Sequence, residues 1–261
     1  EPTRALDSPL WHSNRALLRR ELHVLRRCRC EVLKQKLALL RTGKPDIKGL
    51  KFILRGHKAP TYGRETHMRE PTAYDIKKII EETPQTMFLT ITRKAAAQVN
   101  AWALEALFAH DTPLAYLPIE DDTADNQDAN AAPIISIPVY TGMRITLTKN
   151  LNKKIGFVNG MGATVLRMAR SGLLVRTDQL QTVIVHPWTN EDRIASFPFR
   201  CGYATTLHKV QGATLPHVTL WLDLPNMPAS AYVGLSRVEK DANWRFIGVV
   251  NRHHFTPARF D

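Results

Sequence analysis

The segment ATTLHKVQGATL, residues 204–215, carries several hydrogen-bonding side chains at the end of a predicted strand. We expect a buried strand of an α/β domain here, beginning at Phe199 and ending at Thr205 and Thr206. Such a strand brings these hydroxyls, His208 and Lys209 to the rim of a sheet. Hydroxyl, imidazole and ammonium donors suit phosphate and sugar oxygens, so the segment predicts a contact with a phosphate-bearing ligand.

Gln211 and Gly212 complete the same segment. Because glycine lacks a Cβ, its backbone amide can approach an anionic ligand closely. Taken alone, the pattern is also that of a helix-capping turn.

A second polar segment, AYVGLSR at residues 231–237, follows closely. It is predicted as a helix, which places Arg237 about one turn beyond Tyr232. An arginine at this position can reach a γ-phosphate as an arginine finger. The alternative is a surface helix with an ordinary arginine.

The surrounding chain predicts an α/β layout. Residues 71–82 form a predicted helix, the apolar run 87–91 a buried strand, residues 93–108 an Ala-rich helix and residues 217–222 another strand. A helix is expected at residues 229–238 and a last strand at 245–250. Thr90 and Arg93 lie at a strand-to-helix junction, where α/β folds bind ligands.

Two intervening regions differ from this layout. Residues 138–198 contain short β-type runs and the turn signal Asn159-Gly160, which predicts a small inserted barrel. Residues 109–133 are acidic and turn-rich, so we expect a surface excursion.

The N-terminal region is basic. Leu18, Leu22, Leu25, Val32 and Leu40 recur at helical intervals, which predicts one or two amphipathic helices between residues 14 and 42 that stop near Gly43 and Pro45. Their basic face either contacts phosphates or is simply solvated. The whole chain has 36 Lys and Arg against 24 Asp and Glu, a formal charge of +12 that favours polyanionic partners.

Cysteine content and hydropathy indicate the compartment. Cys28, Cys30 and Cys201 provide neither a disulfide framework nor paired zinc ligands, so we expect a reduced intracellular protein without a metal site of its own. No run of eighteen apolar residues occurs, and the first ten residues contain neither an initiator Met nor an apolar signal region. These features predict a soluble chain with no membrane partner, cut from a longer protein.

Together the motifs resemble those of superfamily 1 helicases, most closely the petite-integration-frequency (PIF) and RecD-like branch. TTLHKVQGATL looks like motif V, AYVGLSR like motif VI and LTITRKAAAQVN, residues 89–100, like motif IV. MRITLTKNLNKKIGFVNGMGATVLRM is similar to the strand pair that leads into the small inserted barrel of that branch. The resemblance covers residues 86–250.

The resemblance implies a fold and a domain organisation. The expected fold is an α/β, RecA-like second motor domain of the P-loop NTPase type, formed by residues 71–137 and 199–261. Residues 138–198 are the implied SH3-like β-barrel, and the basic residues 1–70 the implied end of a missing first motor domain.

The resemblance also assigns roles to individual residues. Single-stranded DNA is expected to contact Thr90, Thr206, His208 and Lys209. ATP is expected to contact Gln211, Gly212, Arg93 and Arg237, with Arg237 as the catalytic arginine finger. The branch usually has Asn at the position of Arg93 and Ala at that of Gly234.

The sequence lacks the motifs that bind the phosphates and Mg²⁺ of ATP. A scan for G-x-x-x-x-G-K-[ST] finds only Thr42-Gly43-Lys44-Pro45, which lacks the upstream glycine and the hydroxyl that holds Mg²⁺. No apolar strand ends in paired acids. The resemblance therefore implies that ATP and Mg²⁺ are held with a missing Walker-A-bearing half, and that this segment alone does not hydrolyse ATP.

The sequence thus predicts the C-terminal half of a DNA helicase that moves 5′ to 3′ by family analogy, with roles in DNA repair and recombination. It is expected in the nucleus or mitochondrion if the source is eukaryotic. Two alternatives are a non-enzymatic single-strand-binding module derived from such a helicase and a decayed gene copy that merely folds.

Overall fold

A parallel four-stranded sheet forms the centre of the α/β part of the molecule. The computed structural model describes residues 28–42, 45–58, 69–121, 133–150, 157–189 and 193–257. The sheet contains β1 (Thr86–Thr90), β11 (Ala204–Thr206), β12 (His217–Trp221) and β13 (Trp244–Ile247), in the order β11-β1-β12-β13. All three pairings are parallel, as the α/β prediction required.

Helices cover both faces of this sheet, because successive apolar side chains of each strand point to opposite faces. Phe88 packs with the helices α3 (Ala73–Glu82) and α4 (Arg93–Phe108), whereas Leu89 packs with α1 (Glu31–Thr42), α2 (Ile47–Leu54) and α5 (Ser230–Leu235). This arrangement is a three-layer α/β fold in which the sheet is buried.

The strand β1 and the helix α4 confirm the prediction for residues 87–108 almost to the residue. Helix α3 starts two residues later than expected, at Ala73, because Thr72 and Asp75 form a capping box there. The helix expected at residues 229–238 is shorter, Ser230–Leu235, and the last strand ends at Ile247 instead of residue 250.

The N-terminal helix prediction is confirmed only for α1, because residues 1–27 and 43–44 lie outside the described part of the chain. Helix α2 was not predicted. Asp46 accepts a hydrogen bond from the Gly49 backbone N–H at 2.7 Å and starts α2 directly after Pro45. Leu33, Leu37 and Ile53 are buried in the same hydrophobic cluster as the parallel sheet and α5.

An antiparallel sheet of five strands interrupts the α/β part. Its order is β10-β4-β5-β6-β7. The strands are β4 (Arg144–Leu147), β5 (Gly162–Ala169), β6 (Gly172–Thr177), β7 (Thr182–Val185) and β10 (Phe199–Cys201). The turn expected at Asn159-Gly160 is present, and Gly160 has a φ of 86°. A two-stranded ladder of β8 (Trp188–Thr189) and β9 (Ala195–Ser196) lies before β10.

Two expectations for this region are wrong. Residues 199–201 do not begin an α/β strand: β10 pairs with β4 in the antiparallel sheet, and Gly202-Tyr203 separates it from β11. Residues 109–133 are not entirely a surface excursion, because β2 (Ala115–Glu120) pairs with β3 (Ile134–Val139). Leu117 and Ile119 are buried at alternating positions, the period expected of a strand. Residues 122–132 lie outside the described part.

The environment of His217, at the start of β12, indicates how the free energy of unfolding depends on pH. Burial, followed by the nearby charge of Arg245, lowers the pKa of His217 from 6.5 to about 4. The neutral ring is hydrogen-bonded between Nδ1 and the Thr86 hydroxyl at 2.8 Å. Because the unfolded chain binds this proton more readily than the folded chain, neutral His217 contributes to the free energy of unfolding. The contribution is complete above pH 6.5 and is lost as the pH falls toward about 4.

We expect His217→Asn, which cannot titrate, to remove about 2 kcal/mol of the loss in unfolding free energy over this pH range. Urea denaturation at several pH values measures it. His208→Asn, at an exposed position, is the control and should leave the pH dependence as in the wild type. Parallel pH profiles for His217→Asn and the wild type would contradict the prediction.

Candidate nucleotide and nucleic-acid site

The carboxyl ends of the parallel strands meet at one edge of the sheet. The register pairs Thr90 with Thr206 and with Trp221, and Trp221 with Ile247. The segments that follow β1, β11 and β12 therefore leave the sheet side by side. Open α/β sheets bind ligands at this edge, and every predicted site residue except Arg237 lies on β1, on β11 or in the segments directly after them.

Asp223, which the sequence reasoning missed, organises the segment after β1. Its carboxylate accepts hydrogen bonds from the Ile91 N–H at 2.7 Å and from the Thr92 hydroxyl at 2.5 Å. The Thr92 hydroxyl in turn accepts from the Ala95 N–H at 3.1 Å and caps α4. An acid directly after the predicted strand at residues 217–222 was the only available signal.

Asn100 ties α4 to the start of β11. Its side chain accepts from the backbone N–H groups of Tyr203 and Ala204 at 3.1 and 2.8 Å, and donates to the Ala204 carbonyl at 3.1 Å. Three bonds from one half-buried amide fix α4 against the edge strand. The position of Arg93, at the first turn of α4, is thereby fixed relative to β11.

The residues predicted to contact single-stranded DNA differ in exposure. His208 and Lys209 are exposed on a 3₁₀ turn, Leu207–Val210, that directly follows β11. Thr206 is 7% exposed. Thr90 is fully buried, and its hydroxyl donates to the Thr92 carbonyl at 2.9 Å, so it supports the loop from within.

Gln211 and Gly212 are exposed at the end of the same turn. Gly212 has a φ of 91°, the left-handed region that a residue with a Cβ adopts only with strain, and no atom lies within 4 Å of the position of a Cβ. The need for glycine here is therefore conformational.

Arg237 lies directly after α5 and joins that helix to the turn. Its Nε donates to the Val233 carbonyl at 3.0 Å, its Nη1 to the Val210 carbonyl at 3.2 Å, and its Nη2 to the Ser236 hydroxyl at 2.6 Å. The guanidinium thus bridges the helix and the segment that carries His208 and Lys209. The bond to the Val210 carbonyl therefore connects Arg237 directly to the turn.

Gly234, in the middle of α5, allows this helix to lie close to the sheet. A Cβ at this position would lie 2.5 Å from Leu220 Cδ2, so a larger residue requires Leu220 to move.

The predicted residues separate into two groups. Arg93, Thr206 and Lys209 line one cleft beside β11. Arg237 contacts the opposite end of the turn, next to Gln211. Arg93, which we expected at ATP, therefore lies with the residues expected at the DNA strand.

A buried cluster around Lys36 also escaped the sequence analysis. Lys36 of α1 is 2% exposed, and its ammonium group donates to Asp241 Oδ2 at 2.7 Å and to His57 Nε2 at 2.8 Å. The His57 ring lies on Trp244 with ring centres 3.7 Å apart and is bonded through Nδ1 to the Trp244 carbonyl at 2.9 Å. One basic residue of α1 is therefore neither solvated nor available to phosphate.

Protonation in this cluster follows from its contacts. Burial lowers the pKa of His57, so the neutral ring donates from Nδ1–H and accepts from Lys36 at Nε2. Burial alone would raise the pKa of Asp241, but the hydrogen bonds from Lys36 and Trp244 outweigh it and hold that pKa below its usual range. The cluster therefore contains an ammonium, a carboxylate and a neutral imidazole at neutral pH.

Within the described ranges, no three His, Cys, Asp or Glu side chains lie close enough to hold a metal ion. Among the helices of the same ranges, none is long and apolar enough to cross a membrane.

Sequence comparison identifies a homologue among helicases. Over 103 residues the chain is 36% identical to the ATP-dependent DNA helicase Pif1 of Bdellovibrio bacteriovorus, a match that covers 35% of this chain and 23% of that protein. No protein-family model matches the chain.

Solved Pif1 helicases have the same fold. The chain superposes on Pif1 from Candida albicans with a TM-score of 0.67 at 18% identity, covering 98% of this chain and 62% of that one. Bacteroides Pif1 bound to ssDNA gives a TM-score of 0.63 at 15% identity, covering 91% and 53%. Bacteroides Pif1 in complex with ADP-AlF3 and ssDNA gives 0.62 at 18% identity, covering 92% and 54%. The chain therefore spans little more than half of these structures, and the predicted resemblance to PIF-like helicases is confirmed.

Proposed function

Because the chain is a Pif1 homologue by sequence and has the RecA-like α/β fold of Pif1 helicases, we propose that it is the second motor half of an ATP-dependent DNA helicase. It binds single-stranded DNA at the carboxyl edge of its parallel sheet and supplies Arg237 to ATP held mainly by a first, Walker-A-bearing half. Translocation runs 5′ to 3′ by family analogy.

One observation carries this proposal. Exposed His208 and Lys209 lie on a turn whose Val210 carbonyl is bonded to Arg237. A group suited to phosphates of a strand and a group suited to the γ-phosphate of ATP are thus joined through one turn. A motor that moves along DNA requires such a connection between its DNA-binding residues and its nucleotide-binding residues.

The proposed residues fit both ligands. One cleft is lined by Lys209, Thr206 and Arg93. We therefore assign Arg93, like the other two, to the phosphates of the DNA strand. Gln211, Gly212 and Arg237 remain the nucleotide group, because Gln211 and Gly212 are exposed directly after Val210, whose carbonyl is bonded to Arg237. ATP supplies the hydrolysable phosphate. We propose no Mg²⁺ ligand among the described residues and assign that ion to the first half.

The domain organisation is part of the proposal. We assign residues 71–139 and 202–261 to the second motor domain and residues 140–201 to an SH3-like barrel inserted into it, because β3 ends at Val139 and β10 pairs with β4 of the antiparallel sheet. We extend the motor domain to residues 28–58, because Leu33, Leu37 and Ile53 share its hydrophobic cluster.

The experiment that tests the function is strand-stimulated ATP hydrolysis by the chain alone and after mixing with the Walker-A-bearing half from the same gene. Activity only in the mixture is the expected result. Strand binding without activity in either sample would favour a non-enzymatic binding module, and the absence of both would overturn the proposal.

A prediction for strand binding follows from Lys209 and His208. We expect the double variant His208→Ala/Lys209→Ala to bind single-stranded DNA at least about tenfold more weakly at low salt. The slope of log affinity against log salt should fall by about 0.7, because one phosphate contact is lost.

Fluorescence anisotropy with one oligonucleotide at several salt concentrations measures this slope. Lys77→Ala removes an exposed lysine from α3 and should leave the slope as in the wild type. A slope that is the same in all three proteins would place His208 and Lys209 away from the strand.

A further inference from the structure

The cleft beside β11 is lined largely by apolar side chains. It has a volume of about 240 Å³ and lies between α4, the β2–β3 hairpin and the strands β10 and β11. Ala97 and Ala101 lie one helical turn apart on α4, so their small side chains leave a shallow wall there. Ile119 and Ile137 of the hairpin line the same cleft. Apolar walls of this kind favour the faces of an aromatic heterocycle over a hydrated ion.

Charged groups of both signs line the same space. Arg93 and Lys209 are the cations that we assign to strand phosphates, and Arg200 adds a third. Glu120 and Asp121 provide carboxylates from the end of β2. Lys149 Nζ lies 3.0 Å from Glu120 Oε1 and pairs with that carboxylate. Cations, apolar walls and carboxylates together match the phosphate, the ring faces and an amino group of one nucleotide.

We propose that this cleft holds one nucleobase of the bound strand, and that Glu120 and Asp121 select a base with an exocyclic amino group. The inference rests on the proposed binding of single-stranded DNA. Cytosine presents an N4 amino donor where thymine presents an O4 acceptor. A carboxylate accepts a hydrogen bond from the amino group and repels the carbonyl oxygen, so the cleft prefers cytosine to thymine.

Oligo(dC) and oligo(dT) of equal length test the preference, because they have the same backbone charge. We expect the wild-type chain to bind oligo(dC) about fivefold or more tightly than oligo(dT) at the same salt concentration. Ala101→Leu, which fills the cleft from an exposed position, should reduce the ratio to about one. Glu120→Gln should do the same, since an amide both donates and accepts.

Gln98→Leu is the matched control. It adds a leucine to an exposed position of α4 that does not line the cleft, so the wild-type ratio should persist.

A failure of the base pocket and a failure of the proposed function give different results. Equal binding of the two oligonucleotides by the wild type, or a preference that survives in Ala101→Leu, overturns the base pocket while strand binding stands. No measurable binding of either oligonucleotide overturns the proposed function and the base pocket with it.

Discussion

Replacing Arg237 by Ala in the complete two-domain protein should lower the rate of strand-stimulated ATP hydrolysis by about 10³-fold or more. An arginine finger stabilises the charge that develops on the transferred phosphoryl group, so its loss affects the transition state much more than the ground state. The affinity for single-stranded DNA should stay within about twofold of the wild type, because Arg237 lies apart from the cleft lined by Thr206 and Lys209. Steady-state hydrolysis and fluorescence anisotropy measure the two quantities.

A purely structural role for Arg237 gives a different pattern. Its bonds to Val210 and Val233 help to hold the turn, so a structural defect would weaken strand binding along with hydrolysis. Ser236→Ala is a useful control, because it removes the 2.6 Å bond to Nη2 but keeps the guanidinium, and its loss of rate should be smaller. If Arg237→Ala hydrolysed ATP at the wild-type rate, the assignment would be wrong.

The parts of the fold that the sequence predicted are those with local signals. Strand β1 and helix α4 were predicted because an apolar run changes to helical periodicity at Thr92, whose hydroxyl caps the helix. The turn at Asn159-Gly160 has an equally local cause, since Gly160 adopts a positive φ. In both cases a few adjacent residues determine the backbone.

The errors arose where pairing partners lie far apart in the chain. Residues 199–206 look like one continuous run, but Phe199 pairs with Leu147 in one sheet and Thr206 with Thr90 in another. Periodicity within a segment does not identify the partner strand. The site shows the same limit, because Asp223 bonds to Thr92 across 131 residues.

Replacing Lys36 by Met should lower the free energy of unfolding by about 3–5 kcal/mol, the second large effect that we expect. The substitution keeps most of the apolar stem but removes the ammonium group between Asp241 and His57. Asp241 then keeps its bond from Trp244 Nε1, at 3.1 Å, and its 3.2 Å contact with His57 Nε2. It loses the ammonium group, so its charge is poorly compensated in a site of low polarity. Urea denaturation of the chain at neutral pH measures the change.

Lys34→Met on the same helix is the matched control. The ammonium of Lys34 pairs with Glu31 at 3.3 Å on the exposed side of α1, and such pairs contribute about 0–1 kcal/mol. A loss for Lys36→Met no greater than that for Lys34→Met would show that the buried ion pair does not stabilise the fold.

The double variant Lys36→Met/Asp241→Asn separates the lost attraction from the cost of an uncompensated charge. The Asn side chain has no charge, and its amide can still accept from Trp244 and donate to the neutral His57 ring. If the stranded carboxylate causes most of the destabilisation, the double variant should regain at least about half of the lost stability. Because Lys36 and Asp241 join α1 to the segment that follows Arg237, the same pair then explains how α1 is held against the α/β part of the molecule.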